Sequence, residues 1–352
     1  MQQSEHVVVV NLIHLRIADS EHERNGITSS STLNPIFSIN DTEPSYLDVV
    51  WRKLILKLRK REEVGFSGQF RLVHEINTND HESLGLTNPI RLYDVKISQR
   101  YRVILLSDNS NGAILIFNLN DRSLKKVVDC QHSDIRYLCV ENNFKNNRDA
   151  LIITGKGLRK YDLELVLNMA NMDEAEIWKS GSHEFFNETV IGYNHLVHDG
   201  KVENLIYTSV GFKAIDVLNS TTGEFIRTLI SDSVDRRGFD INWKGYLTAF
   251  YAKEGDQSNS PFIQETYEEG NVKKFNIESL PLFDTLIHDR ITHNYIVTDC
   301  ASNLIVVFDE NGIVVSTYLK DDRVIVSPSG LCLNPCNGEL FIAHDNGVSI
   351  FM

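Results

Sequence analysis

Two nine-residue strings, 154–162 (TGKGLRKYD) and 208–216 (TSVGFKAID), follow one pattern. It reads threonine, small residue, any residue, glycine, leucine or aromatic, base, any residue, large apolar residue, aspartate. Each string follows an apolar run, at 151–153 and 205–207. A pattern that recurs with its turn intact marks a repeated structural unit, and repeats fix the architecture before any residue chemistry does.

The unit returns elsewhere with a longer turn. Residues 104–118 (ILLSDNSNGAILIFN) and 295–309 (YIVTDCASNLIVVFD) superpose without a gap, each with Ser or Thr, then Asp, then Phe nine positions after that Asp. A shorter copy lies at 340–351, and another is split between 246–251 (YLTAFY) and 270–276 (GNVKKFN) by the polar, acidic stretch 253–269. The copies end on Phe117, Tyr161, Ile215, Phe275, Phe308 and Phe351. Their spacing centres on the roughly 40–50 residues of one four-stranded propeller blade.

Residues 89–128 show the unit whole. Apolar or alternating runs at 91–97, 103–107, 113–119 and 124–128 are separated by Asn, Asp, Gly and Ser, which predicts four strands. The second and third runs are almost continuously apolar, as in strands covered on both faces. The fourth carries Lys125 and Lys126, suited to an exposed edge. Units therefore begin near 89, 134, 189, 237, 283 and 324, and the last is one strand short. The valine-rich 6–15 (HVVVVNLIHL) is the candidate to supply that strand and close the ring. The alternative pairs 6–15 with 64–76, a stretch that reads as one or two strands, a degenerate extra blade or a cap. The expected organisation is a closing strand at 1–15, an irregular or helical extension at 16–85, and an all-β, six-bladed propeller at 86–352. Within the extension, 48–63 is the best helix candidate, with a mixed period that leaves strand open. Residues 168–183 predict a helical turn followed by a strand near 176–179.

Composition bounds the function. The net charge of −13 argues against wrapping nucleic acid, because phosphate neutralisation supplies most non-specific affinity. The basic run 52–61, with six Lys or Arg in ten, reads as a solvated helix face. Five cysteines without a CxxC, a start (MQQSEH) without a basic region, and no apolar stretch near the ~20 residues of a membrane span point to a cytoplasmic or nuclear protein that is not secreted.

No catalytic, cofactor-binding or metal-ligating residue is assigned. His195 and His198 fall on opposite faces of a regular strand, and two thiols, Cys332 and Cys336, do not make a zinc site. His288, His293 and His344 lie on or near different units and have no spacing signature. No G-x-S-x-G occurs, and residues 155–157 (GKG) lack the phosphate-loop frame. They read as a tight hairpin turn with Gly157, and its counterpart Gly211, taking the awkward dihedral. Asp162, Asp216, Asp309, Asn118 and Asn276 recur at the ends of third strands, where a short polar side chain accepts hydrogen bonds from the following turn.

Residues 104–119 and 295–315 resemble NHL repeats, with their apolar pair, Ser or Asp, and a later Val-Phe-Asp/Asn. The likeness runs over 89–352, and the family's Asn-Arg-Ile is replaced by Gly112-Ala113-Ile114 and Ser302-Asn303-Leu304. The resemblance implies a six-bladed β-propeller. It also implies a non-enzymatic scaffold that binds a protein through loops such as 168–183 and 253–269 at one mouth of the ring, without a cofactor or membrane. Two alternatives come with related propellers: a metal-dependent hydrolase or lyase, and RNA binding.

Overall fold

The apolar runs at 103–107 and 113–119 are too long for a half-exposed sheet, and both are strands with almost no exposed residue. The computed structural model describes residues 63–352 apart from short stretches, the longest being 253–261. All the described residues belong to one unit, Pro44–Met352. β1 (Leu72–Asn77) comes first. β2 (Leu92–Ser98), β3 (Val103–Asp108), β4 (Ala113–Asn118) and β5 (Leu124–Asp129) then form an antiparallel sheet in chain order. These match the four runs read from the sequence of 89–128.

The next strands are longer than expected. β6 (Leu138–Lys145) is followed by β7 (Arg148–Asp162), a run of 15 residues. Laid straight, β7 would span roughly 50 Å. Its two end residues nevertheless meet, with Arg148 Nη1 2.6 Å from Asp162 Oδ2. The run is therefore doubled back. The bend contains Gly157 at φ +97°, a conformation that glycine takes without strain. Residues 150–153 pair with β6, and residues 156–161 pair with the next strand. Asp162 caps a short helix that the sequence reading missed, α1 (Leu163–Asn168), accepting from the amides of Glu164 and Leu165. A 3-10 turn at Asp173–Ala175 then leads into β8 (Glu176–Leu196), as the pattern at 168–183 predicts.

β8 runs on for 21 residues and pairs first with β7, then with β9 (Val202–Val210). With β10 (Ala214–Asn219) and β11 (Phe225–Ser231) it completes a six-stranded sheet, β11-β10-β9-β8-β7-β6. β12 (Asp235–Ile241), β13 (Leu247–Ala252), β14 (Phe262–Thr266) and β15 (Val272–Asn276) make a third sheet. β14 lies inside the stretch read as a long loop, so 272–276 is the fourth strand here and not the third. The polar Gln264, Glu265 and Thr266 had hidden it. β16 (Thr285–His288), β17 (Tyr295–Asp299), β18 (Leu304–Phe308) and β19 (Val314–Leu319) follow. The last sheet orders as β1-β22-β21-β20, with β20 (Gly330–Leu333), β21 (Leu340–His344) and β22 (Gly347–Phe351).

The arrangement is a β-propeller of five hydrogen-bonded sheets, against six expected, because the unbroken β8 joins two predicted units into one sheet. The edge beside β22, which the sequence reading gives to 6–15, is held by β1, with Leu72 opposite Phe351 and Asn77 opposite Gly347. Residues 6–15, the extension 16–62 and its helix candidate lie outside the described residues. Gly347 has φ +140°, and a Cβ there would overlap the Ile76 carbonyl, so β1 approaches only because this residue is glycine.

The core is divided into wedges between neighbouring sheets. Val103, Leu105, Ile114 and Ile116 pack on Leu138, Leu151 and Leu163. Leu92, Ile104, Leu106 and Leu115 pack on Phe341, Ala343 and Ile350 across the ring closure. Ile296, Ile305 and Val307 meet Leu331, Ile342 and Phe351. Each sheet buries its two faces against two neighbours, which is why its middle strands are apolar throughout. The innermost strands touch in a closed cycle: β2 with β6, β6 with β8, β8 with β12, β12 with β16, β16 with β20, and β20 with β2.

Candidate functional site

The polar residues of the inner strands come first, because a propeller axis is where side chains from separate sheets converge. Asp94 follows Tyr93 and precedes Val95, and Asp240 sits likewise between Phe239 and Ile241. Each carboxylate makes the same pair of contacts. Asp94 accepts from the amide of Val95 (2.8 Å) and from Leu138 on the next inner strand (2.9 Å). Asp240 accepts from Ile241 (2.7 Å) and from His288 on the next inner strand (2.8 Å). Glu188 in β8 accepts from Phe239 at 2.7 Å. On the far side of the ring Thr285 donates to the Ser329 carbonyl, and Ser329 donates to the Leu92 carbonyl at 3.0 Å. These links join the first residues of β16, β2 and β6 at one level, so the inner strands run in parallel.

Burial raises the pKa of Asp94, Glu188 and Asp240, most strongly for Glu188. Lys96 is the counter-ion, 2.5 Å from Asp94 Oδ1, and it also donates to the carbonyls of Val95 and Leu331. Burial is the largest single effect and works against its ammonium, but the charge and hydrogen bond of Asp94, with smaller contributions from its surroundings, together leave the pKa raised. The second-strand Ser and Thr of the repeat serve the same lacing. Ser107 accepts from Asp94 N and donates to Arg136 O, Thr154 accepts from Tyr137 N, and Thr208 donates to Glu188 O. The sequence displayed these residues as a repeat signature without revealing what they bond.

A second buried centre was not visible in the sequence. Lys160, 0% exposed, pairs with Glu141 and donates to Ser220 O (2.6 Å) and Ser220 Oγ (2.8 Å). Its ammonium stands 3.6 Å from the centre of the Phe144 ring. Glu141 also accepts from Asn204 Nδ2 at 2.7 Å and from Ser220 Oγ at 2.7 Å. Burial pulls the Lys160 pKa down to about 8, against the pull of Glu141. The centre ties β6 and β7 to β9 and the end of β10. Its only signal was a lysine in one nine-residue string where the other has Ala214.

The residues weighed for chemistry do not come together. His344 bonds Ser349 Oγ (3.0 Å) and Asn346 N (3.3 Å) in its own hairpin, and burial lowers its pKa to about 4. His288 ends β16 and packs against Tyr295, and His293 occupies a turn at φ +64°. The side chain of His195, and all of His198, lie outside the description. All five cysteines are free thiols, and burial pushes Cys332 up to about 11. Among the described residues no three His, Cys, Asp or Glu side chains are grouped to hold a metal ion. Asp309 accepts from Asn311 and Ile313, and Asn118 contacts Ser123, as turn residues should. Asp216 differs: it lies inside β10, and Asn219 takes the turn amides of Thr221 and Thr222.

Exposed apolar residues, by contrast, recur at one place in the sheets, the start of the outermost strand. Leu72 and Val73 open β1, Leu124 opens β5, Phe225 and Ile226 open β11, and Ile313, Val314 and Val315 open β19. Phe225 and Ile313 are 60% and 64% exposed. Every one of these strands is outermost in its sheet and antiparallel to the strand before it in the sheet. With the inner strands parallel, all four openings face the same side of the ring. Of the two sequence-predicted loops, 168–183 holds the 3-10 turn Asp173–Ala175 and the start of β8, and 253–269 lies outside the described residues except for β14.

No protein-family model matches the chain, and no curated protein sequence matches it. Among solved structures, a chain of the Kuenenia stuttgartiensis hydrazine synthase is similar over 76% of this chain and 96% of its own, at 12% identity and a TM-score of 0.52. At that identity the likeness is one of fold. It agrees with the propeller arrangement.

Proposed function

We propose that the chain is a six-bladed, NHL-like propeller serving as a non-enzymatic scaffold, with a protein partner seated on the face where the outer strands begin. Two features favour six blades. The inner strands touch in a cycle of six. The ion pair that doubles β7 back gives it two limbs, and β8 likewise pairs at its two ends with different neighbours. The six-stranded sheet then reads as two four-limbed blades that share one continuous chain.

The observation that carries the binding reading is the row of exposed apolar residues on one side: Leu72, Val73, Leu124, Phe225, Ile226 and Ile313. Exposed apolar side chains that recur at the same place in several sheets offer a partner the same kind of contact on each. The opposing features at the axis are committed to holding sheets together. Affinity capture with wild type and with Phe225→Asp/Ile226→Ser tests the reading. The variant is expected to keep its thermal midpoint and lose the partners that wild type retains. Identical partner sets from the two proteins would overturn it.

A further inference from the structure

The chain that leads into β1 is a strap laid between the last two sheets. The amide of Val64 donates to the Pro335 carbonyl (2.7 Å) and that of Phe66 to Asp289 Oδ2 (2.8 Å). The Phe66 side chain is buried with Ile296, Ile305 and Leu331. Farther along, a Cβ at Gly68 would lie 3.4 Å from Ser316 Oγ, and the Phe70 ring centre is 5.4 Å from that of Tyr318. Two residues of strap therefore match two residues of β19, and the strap runs beside β19 in the same direction. Continued backward, that step sets Val64 level with the start of β19. Val64 is 46% exposed there, and Ile313 and Val314 are 64% and 50% exposed. Asp309 and Glu310 stand in the turn just before them.

We infer that residues 46–59 of this same chain form an amphipathic helix that folds back through 60–63 and seats its apolar stripe on Val64, Ile313 and Val314. Three observations select this occupant. The first is the pattern: Leu47, Val50, Trp51, Leu54, Ile55 and Leu58 fall at i, i+3, i+4, i+7, i+8 and i+11, one stripe of a helix, with Val49 and Leu56 off it. Ser45 and Asp48 supply the Ser-x-x-Asp signal that opens a helix. The second is the tether. Leu58 lies five residues from Glu63, a reach of roughly 18 Å at full extension, so the stripe is held beside the strap at high effective concentration. A helix this short owes its stability to packing of its apolar stripe, and Val64, Ile313 and Val314 are the exposed apolar residues where its tether is fixed. The third is charge. Residues 47–62 carry six bases and two acids in a chain of net charge −13, and Asp309 and Glu310 border the seat. The helix takes Ile313 and leaves Phe225 and Ile226, in another sheet, to a partner protein.

Photo-cross-linking on the full chain tests this, with benzoylphenylalanine in place of Ile313 and a mixture of light and heavy-isotope chains to tell links within one molecule from links between two. Links within one molecule are expected, landing in 47–58. They should be lost in the same protein carrying Leu54→Asp/Leu58→Asp, and the same probe in place of Leu124, on another sheet, should not give them. Hydrogen exchange on the full chain without the probe gives an independent reading. Amides of 50–58 should be protected in wild type and lose that protection in Ile313→Asp/Val314→Asp, which changes two exposed side chains. The inference is overturned if no link forms within the chain, if links land outside 47–58 or join two copies, or if Leu54→Asp/Leu58→Asp leaves them undiminished. Equal exchange of 50–58 in wild type and in Ile313→Asp/Val314→Asp would overturn it as well. Partner capture by the Phe225 variant is a separate readout, so the failure of one proposal leaves the other standing.

Discussion

Lys160 carries a charge into a place with no water, and Glu141, Ser220 and the face of Phe144 stand in for the lost hydration. Removing one partner of such a pair strands the other. Glu141→Ala is therefore expected to destabilise the fold by about 3–5 kcal/mol. The double change Lys160→Met/Glu141→Leu should recover most of that, because both desolvation penalties go together. Urea titrations of the three proteins measure it. The pair also has a pH signature. The folded pKa of Lys160, about 8, lies below its usual 10.5, so the unfolded chain binds the extra proton between those values. Wild-type stability should rise with pH across that window, and Lys160→Met should lose this part of the slope. This centre was illegible in the sequence because 159–161 (RKY) looks like any edge strand. What lies over Lys160 is Ser220, sixty positions away, and only the packing of two repeats brings it there. The turn acids were legible, since Asp162 and Asp309 act on amides within four residues of themselves.

At the scale of elements, the short strands were readable wherever their apolar runs were bounded by turn residues, as in β2 to β5. Two features were not. β14 has three consecutive polar residues, Gln264 to Thr266, and borders an acidic stretch, so its strand character emerges only from full pairing with β13 and β15. The strand beside β22 was also misplaced. Valine content favoured 6–15, whereas β1 has five of its six residues exposed and gives little apolar signal. Its place is fixed by backbone pairing and by the neighbouring Phe66 and Phe70, which pack with Tyr318 and Phe351. β1 is thus held more by geometry than by burial, and Gly347 controls that geometry. Gly347→Ala should destabilise by about 1–3 kcal/mol, the usual range for a strained backbone position. Limited proteolysis should then cut near residues 72–77 sooner than in wild type. Unchanged cleavage would show that β1 reaches β22 without needing this glycine.

Over the whole molecule, sheets that bury both faces against neighbours cannot melt singly, because each loses its cover when the next one leaves. The axial carboxylates reinforce this, since Asp94, Glu188 and Asp240 each bond an amide of the following inner strand. Asp94→Ala removes the acceptor for Leu138 N and leaves Lys96 without its carboxylate. A loss of about 3–5 kcal/mol is expected, as for any broken buried pair. Calorimetry should show one transition moved downward as a unit. A separate early transition, with the rest of the ring unmoved, would contradict the coupling. The repeat made the toroidal plan legible, but the number of hydrogen-bonded sheets depends on β7 and β8 continuing where the sequence suggested breaks.

The seam between β1 and β22 also sets a timetable for biosynthesis. Leu72 waits for Phe351, 279 positions downstream, before it has a hydrogen-bonding neighbour. At translation speeds of roughly 5–20 residues per second, that delay is roughly 15–55 s. For that interval the nascent chain holds an orphan strand while its other sheets stack, and the toroid locks only when the final hairpin leaves the ribosome.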